Sequence, residues 1–150
     1  GSSDDTLLGS SGSDIIDGGA GDDIVKGGSG DDVLLDGLGS DEVRGGSGDD
    51  TFIFVEGVLE GDASATEEVF RGGSGNDALY LVLGEASFAL FETQGSGAAL
   101  DALNISTKGI ESVFAIDGRG GVESALGGFS WFQAGDYWGL IAAPTEDLFV

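Results

Sequence analysis

The chain has 150 residues and a formal charge of −23, from 28 acids against 5 bases, with no histidine and no cysteine. A protein this acidic repels nucleic acid and anionic membrane surfaces, and it lacks the imidazole and thiolate that zinc, copper or iron normally require. Hard oxygen ligands remain; they suit Ca²⁺ better than Mg²⁺, which demands octahedral geometry and keeps its waters.

From the N-terminus an aspartate recurs every ninth residue, at Asp5, Asp14, Asp23, Asp32, Asp41 and Asp50, and the register is met again at Asp77. The unit is clearest in Gly18-Gly19-Ala20-Gly21-Asp22-Asp23-Ile24-Val25-Lys26. Its first six residues are glycines, small residues and acids, able to turn tightly and to bring the backbone close to a ligand. Its last three are β-prone around one apolar residue, which reads Leu7, Ile16, Val25, Leu34, Val43 and Phe52 in successive units. One apolar side chain per nonad cannot bury itself, so successive turns must stack over a narrow shared core. Charge is concentrated here, with net −11 over residues 1–53 against −5 over 54–80 and −7 over 81–150. Without cations, neighbouring turns repel. Fourteen glycines in residues 1–53 add a large ordering entropy, so folding is expected to depend on the ion.

The pattern resembles the GGxGxDxUx repeat of the RTX (repeats-in-toxin) family, over residues 1–53 and again at Gly72-Gly73-Ser74-Gly75-Asn76-Asp77-Ala78-Leu79-Tyr80. That resemblance implies an all-β fold, a right-handed parallel β-roll that binds Ca²⁺, completed by a β-rich C-terminal cap. It also implies ligand sets shared by turns eighteen residues apart: two aspartates, carbonyls from positions two and four of the earlier turn, and carbonyls from positions one and three of the later. Carried onto this chain, Asp5 with Gly1 and Ser3 faces Gly18, Ala20 and Asp23. Asp14 with Ser10 and Gly12 faces Gly27, Ser29 and Asp32. Asp23 with Gly19 and Gly21 faces Asp36, Leu38 and Asp41, and Asp32 with Gly28 and Gly30 faces Gly45, Ser47 and Asp50. About four Ca²⁺ ions are expected. One turn departs from the pattern, with Asp36 in place of a glycine and the large Leu38 at its third position.

Residues 54–71 number two nonads and admit two readings. As two degenerate turns, they put Glu68 at the aspartate position and Phe70 at the apolar one, and Glu68 closes a site with Asp50. As an acidic loop carrying Glu56, Glu60, Asp62, Glu67 and Glu68, they leave the roll, and Asp77 becomes the partner of Asp41. The density of acids favours the loop, with residues 72–80 as the last turn.

From residue 81 the composition is that of a conventional β region, expected to cap the roll's bare apolar end. Candidate strands are Leu79–Leu83, Ser87–Glu92, Leu100–Ile105, Glu111–Ile116, Gly128–Ala134 and Tyr137–Ala142. The scarcity of alanine-rich or heptad patterns argues against helices. Trp131 and Trp138 sit on the last hairpin, where core packing or sugar stacking would suit them, so an adhesive or glycan-binding module is the alternative function. The ending Thr145-Glu146-Asp147-Leu148-Phe149-Val150 resembles the C-terminal signal of RTX proteins exported by bacterial type I (ABC) machinery. No apolar run is long enough to span a bilayer and none has the pattern of a secretory leader. The resemblance thus implies a module secreted by, or displayed on, a Gram-negative bacterium, expected to be monomeric and part of a larger exported protein such as a toxin. No catalytic residue is assigned: without histidine or cysteine a hydrolase would need paired carboxylates such as Glu111 with Asp117.

Overall fold

The structure is a computed structural model that describes residues 3–19, 21–37, 39–55 and 67–117. Each nonad supplies a short strand whose middle residue turns inward. The strands are β1 (Thr6–Leu8), β2 (Ile15–Asp17), β3 (Ile24–Ser29), β4 (Val33–Leu35), β5 (Glu42–Ser47), β6 (Thr51–Val55), β7 (Glu68–Ser74), β8 (Ala78–Leu83), β9 (Ile105–Lys108) and β10 (Ser112–Asp117). Two helices, α1 (Glu85–Gln94) and α2 (Ser96–Ala102), lie between β8 and β9. Odd strands form one sheet in the order β1-β3-β5-β7-β9, and even strands form the other, β10-β8-β6-β4-β2. Every pairing is parallel. Successive nonads therefore alternate between sheets and the chain coils once per eighteen residues, with Thr6 beside Ile24 on one sheet and Ile15 beside Val33 on the other. This is the parallel β-roll that the repeat implied.

The core is the row of inward residues. Val25, Leu34, Val43, Phe52, Phe70 and Leu79 are fully buried, while Leu7 and Ile16, in the first two strands, are only partly covered. Phe52 meets Phe70 edge-on across the two sheets, with ring centroids 5.8 Å apart. With so thin a core each large side chain matters. Phe52→Ala is expected to cost about 3–5 kcal/mol, read as a lowered thermal midpoint of the Ca²⁺-loaded chain, whereas Ile24→Ala, at a surface position, should hardly move it. Equal midpoints for the two variants would contradict this core.

The eighteen residues 54–71 follow neither reading whole. β5 pairs with β7 through Val43 and Phe70, and β6 pairs with β8 through Phe52 and Leu79. Equivalent residues are now 27 apart, so one nonad's worth of chain stays in the roll and nine residues are surplus. Glu68 does take the aspartate register, but opposite Asp41 rather than Asp50, and Asp77 stands opposite Asp50 rather than Asp41. Alternation between the sheets sets the sides: with one nonad of 54–71 in the roll, Glu68 falls on the odd side and Asp77 on the even side, whereas two or none would put Asp77 on the odd side. Lengthening the closure from 18 to 27 residues costs only about 0.4 kcal/mol. Glu56, Glu60 and Asp62 lie outside the described residues.

Past β8 two of the candidate strands, and the expectation of no helices, are corrected. The candidate strand Ser87–Glu92 is helical within α1, and Leu100–Ile105 is split between the end of α2 and the start of β9. Ala86, Ala89, Leu90, Glu92 and Gln94 are strong helix formers, Glu85 complements the dipole of the first turn, and Gly84 and Gly95 bound the helix. Phe88 and Phe91 are three apart and Ala99 and Leu103 four apart, which puts each pair on one helical face. Phe88, Phe91, Leu100 and Leu103 pack on the core cluster, α1 lying against β8 and β10 and α2 against β9. Among the described residues these helices cover the end of the roll. The other two candidate strands agree with β8 and β10. Gly128–Ala134, Tyr137–Ala142, both tryptophans and the C-terminal hexapeptide lie outside the described residues.

Candidate metal centre

Two columns of carboxylates run down the roll, one for each sheet. On the odd side the Asp5 N–H donates to Asp23 Oδ1 (2.7 Å), the Asp23 N–H to Asp41 Oδ1 (2.8 Å) and the Asp41 N–H to Glu68 Oε2 (3.0 Å). On the even side Asp14, Asp32, Asp50 and Asp77 donate in the same way to Asp32, Asp50, Asp77 and Glu111, at 2.8–2.9 Å. One oxygen of each acid thus orients the side chain. The other, Oδ2 of Asp23, Asp32, Asp41, Asp50 and Asp77, is buried with no hydrogen-bond partner. Burial, the largest effect, raises the pKa of Asp32 and Asp77 and pushes Asp50 up to about 6, with neighbouring acids, Glu111 beside Asp77 and aspartates beside the other two, adding to it. Buried anionic oxygens left unpaired are costly, and a row of them is a ready donor set for a hard cation.

The backbone completes the set. A Cβ at Gly45 would collide with Asp50 Oδ2, and one at Gly46, whose φ is +116°, would collide with the Gly28 carbonyl. Glycine is required here both by the close approach and by the backbone angle. The second- and fourth-position carbonyls of one turn face the next turn on the same side: Ser10 and Gly12 face Gly28 and Gly30, Gly19 and Gly21 face Gly37 and Gly39, and Gly28 and Gly30 face Gly46 and Gly48. First-position carbonyls point back, Gly27 toward Gly9, Asp36 toward Gly18 and Gly45 toward Gly27. So do third-position carbonyls, since Ser29 accepts from the Gly12 N–H and Ser47 from the Gly30 N–H. The backbone oxygens named from the sequence for the Asp14–Asp32 and Asp32–Asp50 steps therefore lie on facing turns. For the other two steps, Ser3 O faces Gly21, while Gly1, Ala20 and Leu38 lie outside the described residues.

At the departing turn the chemistry differs. Asp36, Asp41 and Glu68 are all buried, and one carboxylate oxygen from each lies within 4.8 Å of the others. Burial together with Glu68 and Asp41 drives the Asp36 carboxyl well above its usual range, and burial with Glu68 and Asp23 pushes Asp41 to about 7. The sequence reading used only the Asp36 carbonyl and missed the roles of its side chain, of Glu68 opposite Asp41 and of Glu111. The signal existed: Glu68-Val69-Phe70 and Glu111-Ser112-Val113 repeat the acid-x-apolar ending of a nonad. Glu111 immediately precedes β10 and Asp117 ends it, six residues and about 20 Å apart along the extended backbone, so the fold does not bring the two together. A second, outer ladder was also missed. The N–H groups of Asp22, Ser40, Asp49 and Asn76 donate to Asp4, Asp22, Asp31 and Asp49, each toward the preceding turn on its side.

A family model for the RTX calcium-binding nonapeptide repeat, in four copies, matches residues 1–34, 27–57 and 62–83, more than half of the chain. The chain belongs to the RTX calcium-binding repeat family. The comparison with curated proteins returned no match. The RTX assignment and the orphaned Oδ2 row agree on Ca²⁺, and no enzymatic family is indicated. RTX repeats occur in secreted proteins of Gram-negative bacteria. Among the described residues no helix is long and apolar enough to cross a membrane.

Proposed function

We propose that this RTX module is disordered at the low Ca²⁺ of the bacterial cytosol and folds on Ca²⁺ outside the cell, supporting type I export and the stability of a larger protein. The observation that carries the reading is the row of five buried Oδ2 atoms without partners, which makes the metal-free roll electrostatically costly. Ions are assigned to the steps Asp5–Asp23, Asp14–Asp32, Asp23–Asp41 and Asp32–Asp50, and the same register extends to Asp50–Asp77 and Asp77–Glu111. In this reading the module is monomeric, has no catalytic residues, and leaves any activity to the rest of the exported protein.

A calorimetric titration from chelator tests the binding. Several Ca²⁺ per chain are expected, with Mg²⁺ binding far more weakly, and equal affinities for the two ions would overturn the assignment. Export is tested by fusing the chain behind a passenger in a host with a type I exporter: release of the passenger should require the chain, and a passenger that stays inside would remove the secretion role.

The Asp36 carboxylate gives a sharper check. Asp36→Gly restores the repeat's glycine and takes one of three carboxylates from the group with Asp41 and Glu68. Because the number of charged ligands tunes Ca²⁺ affinity over decades, the tightest binding step is expected to weaken by about tenfold. An unchanged step would mean that this side chain takes no part.

A further inference from the structure

The chain has five basic residues, and four of them fall in one row. The parallel register of the odd sheet sets Lys26 beside Arg44, Arg44 beside Arg71 and Arg71 beside Lys108. Lys26, Arg44 and Arg71 follow the inward Val25, Val43 and Phe70 and so point outward, and Lys108, which follows the exposed Thr107, takes the same register beside Arg71; Lys26 is half-buried and the other three are exposed. Like charges directly opposite one another on adjacent strands destabilise a sheet. Relief comes from one acid, Glu42, which pairs with Arg44 and lies 3.6 Å from Arg71 Nε, and among the described residues no acid pairs with Lys26 or Lys108. In a chain of net charge −23, solubility gives no reason to gather the few cations into a strip.

We infer that the outer face of the odd sheet is a docking strip for a linear acidic polysaccharide, whose carboxylates lie along the row Lys26, Arg44, Arg71 and Lys108. The strip spans three strand-to-strand steps, about 14 Å, with charges repeating at about 4.8 Å. Evenly spaced single charges on a straight line match a polymer bearing one carboxylate per sugar better than the irregular surface of a globular partner. The surrounding field is negative, which disfavours a polymer as densely charged as nucleic acid and favours one of lower charge density. The row exists only when β3, β5, β7 and β9 are stacked, so binding requires the folded roll and on that point rests on the calcium-folding reading. It adds a partner that this reading does not contain.

The test is binding of a fluorescent oligouronate to the full chain at fixed free Ca²⁺, held well above the carboxylate concentration so that chelation by the sugar does not unfold the module. Circular dichroism on the same samples reports folding. Wild type is expected to bind with an affinity that falls as salt rises. Each of Lys26→Gln, Arg44→Gln, Arg71→Gln and Lys108→Gln should weaken binding by roughly twofold to fivefold, and the combined variant should lose it with its Ca²⁺-dependent β signal intact. The proposal is overturned if folded wild type does not bind, if the combined variant binds as well, or if single-stranded DNA of equal length binds as tightly. Should the combined variant misfold, the two lysine variants, which disturb no ion pair, carry the comparison. A wild type without a β signal in Ca²⁺ would sink the folding reading instead, and circular dichroism tells the two failures apart.

Discussion

Chelating Ca²⁺ from the loaded module at pH 7.5 is expected to erase most of its far-UV β signal, and readmitting Ca²⁺, but not Mg²⁺, to restore it. Asp23, Asp41 and Glu68 in one column and Asp32, Asp50 and Asp77 in the other are buried, and adjacent members are joined through a single backbone N–H. Neighbouring strands lie about 4.8 Å apart, so at neutral pH each column is a file of like charges shielded from water. Against that stands a core that, as far as Val43, gives its central cluster only one residue for every nine ordered, in a segment rich in glycine, whose ordering entropy is the largest of any residue. Dissociation should be cooperative, because removing one ion exposes its neighbours' carboxylates to uncompensated repulsion and loosens the turns they share. A β signal that survives in chelator would show that the Phe52–Phe70 core and the helices at the end of the roll suffice without the metal. Calcium would then be a passenger on the fold.

The roll was legible because its determinants are local and repeated. Asp23 or Val25 needs only its nonad to be placed, and six consecutive copies set the period and the inward face. Even the facing backbone carbonyls follow from position in the nonad, since the glycine positions admit the carbonyls of the neighbouring turn. Legibility ended where the repeat did. Glu68 could be placed in the aspartate register but not on a side, because side depends on how many nonads of 54–71 stay in the roll, which no residue within them announces. Glu111 stands 34 residues beyond Asp77, after two helices, and its match to the register is made by strand pairing rather than by spacing. The helices were misread for another reason: Ser87–Glu92 is a short apolar run, Phe88 to Phe91, between polar residues, which passes for a strand, and it is the paired spacing of Phe88 and Phe91 against the core that decides for helix. The basic row likewise combines residues 18, 27 and 37 apart, so it emerges only from the register.

Acidifying the chelated chain from pH 8 to pH 5 is expected to bring back part of the β signal that chelation removes. In the metal-free fold the Asp41 carboxyl is raised to about 7 and Asp50 to about 6, first by burial and then by the acids around them, and Asp36 is driven up further by Glu68 and Asp41. In the unfolded chain these groups titrate near 3.8. Between those values the folded chain holds protons that the unfolded chain has lost, so the linkage has a definite sign: stability of the metal-free fold increases as pH falls through about 7 and 6, and the gain is complete only below about 4. This is the reverse of ordinary acid denaturation, in which ion-paired carboxylates with lowered pKa values are protonated. Protons and Ca²⁺ compete for the same oxygens, so the Ca²⁺ midpoint should rise over the same interval even as the need for Ca²⁺ falls. Circular dichroism at several pH values, in chelator and at fixed Ca²⁺, should therefore give two curves that converge toward pH 5. A chelated signal that stays flat or declines between pH 8 and 5 would mean that the buried columns do not form without metal. Their proton uptake could then add nothing to folding, and the ion rather than the proton would be the sole neutraliser of these carboxylates.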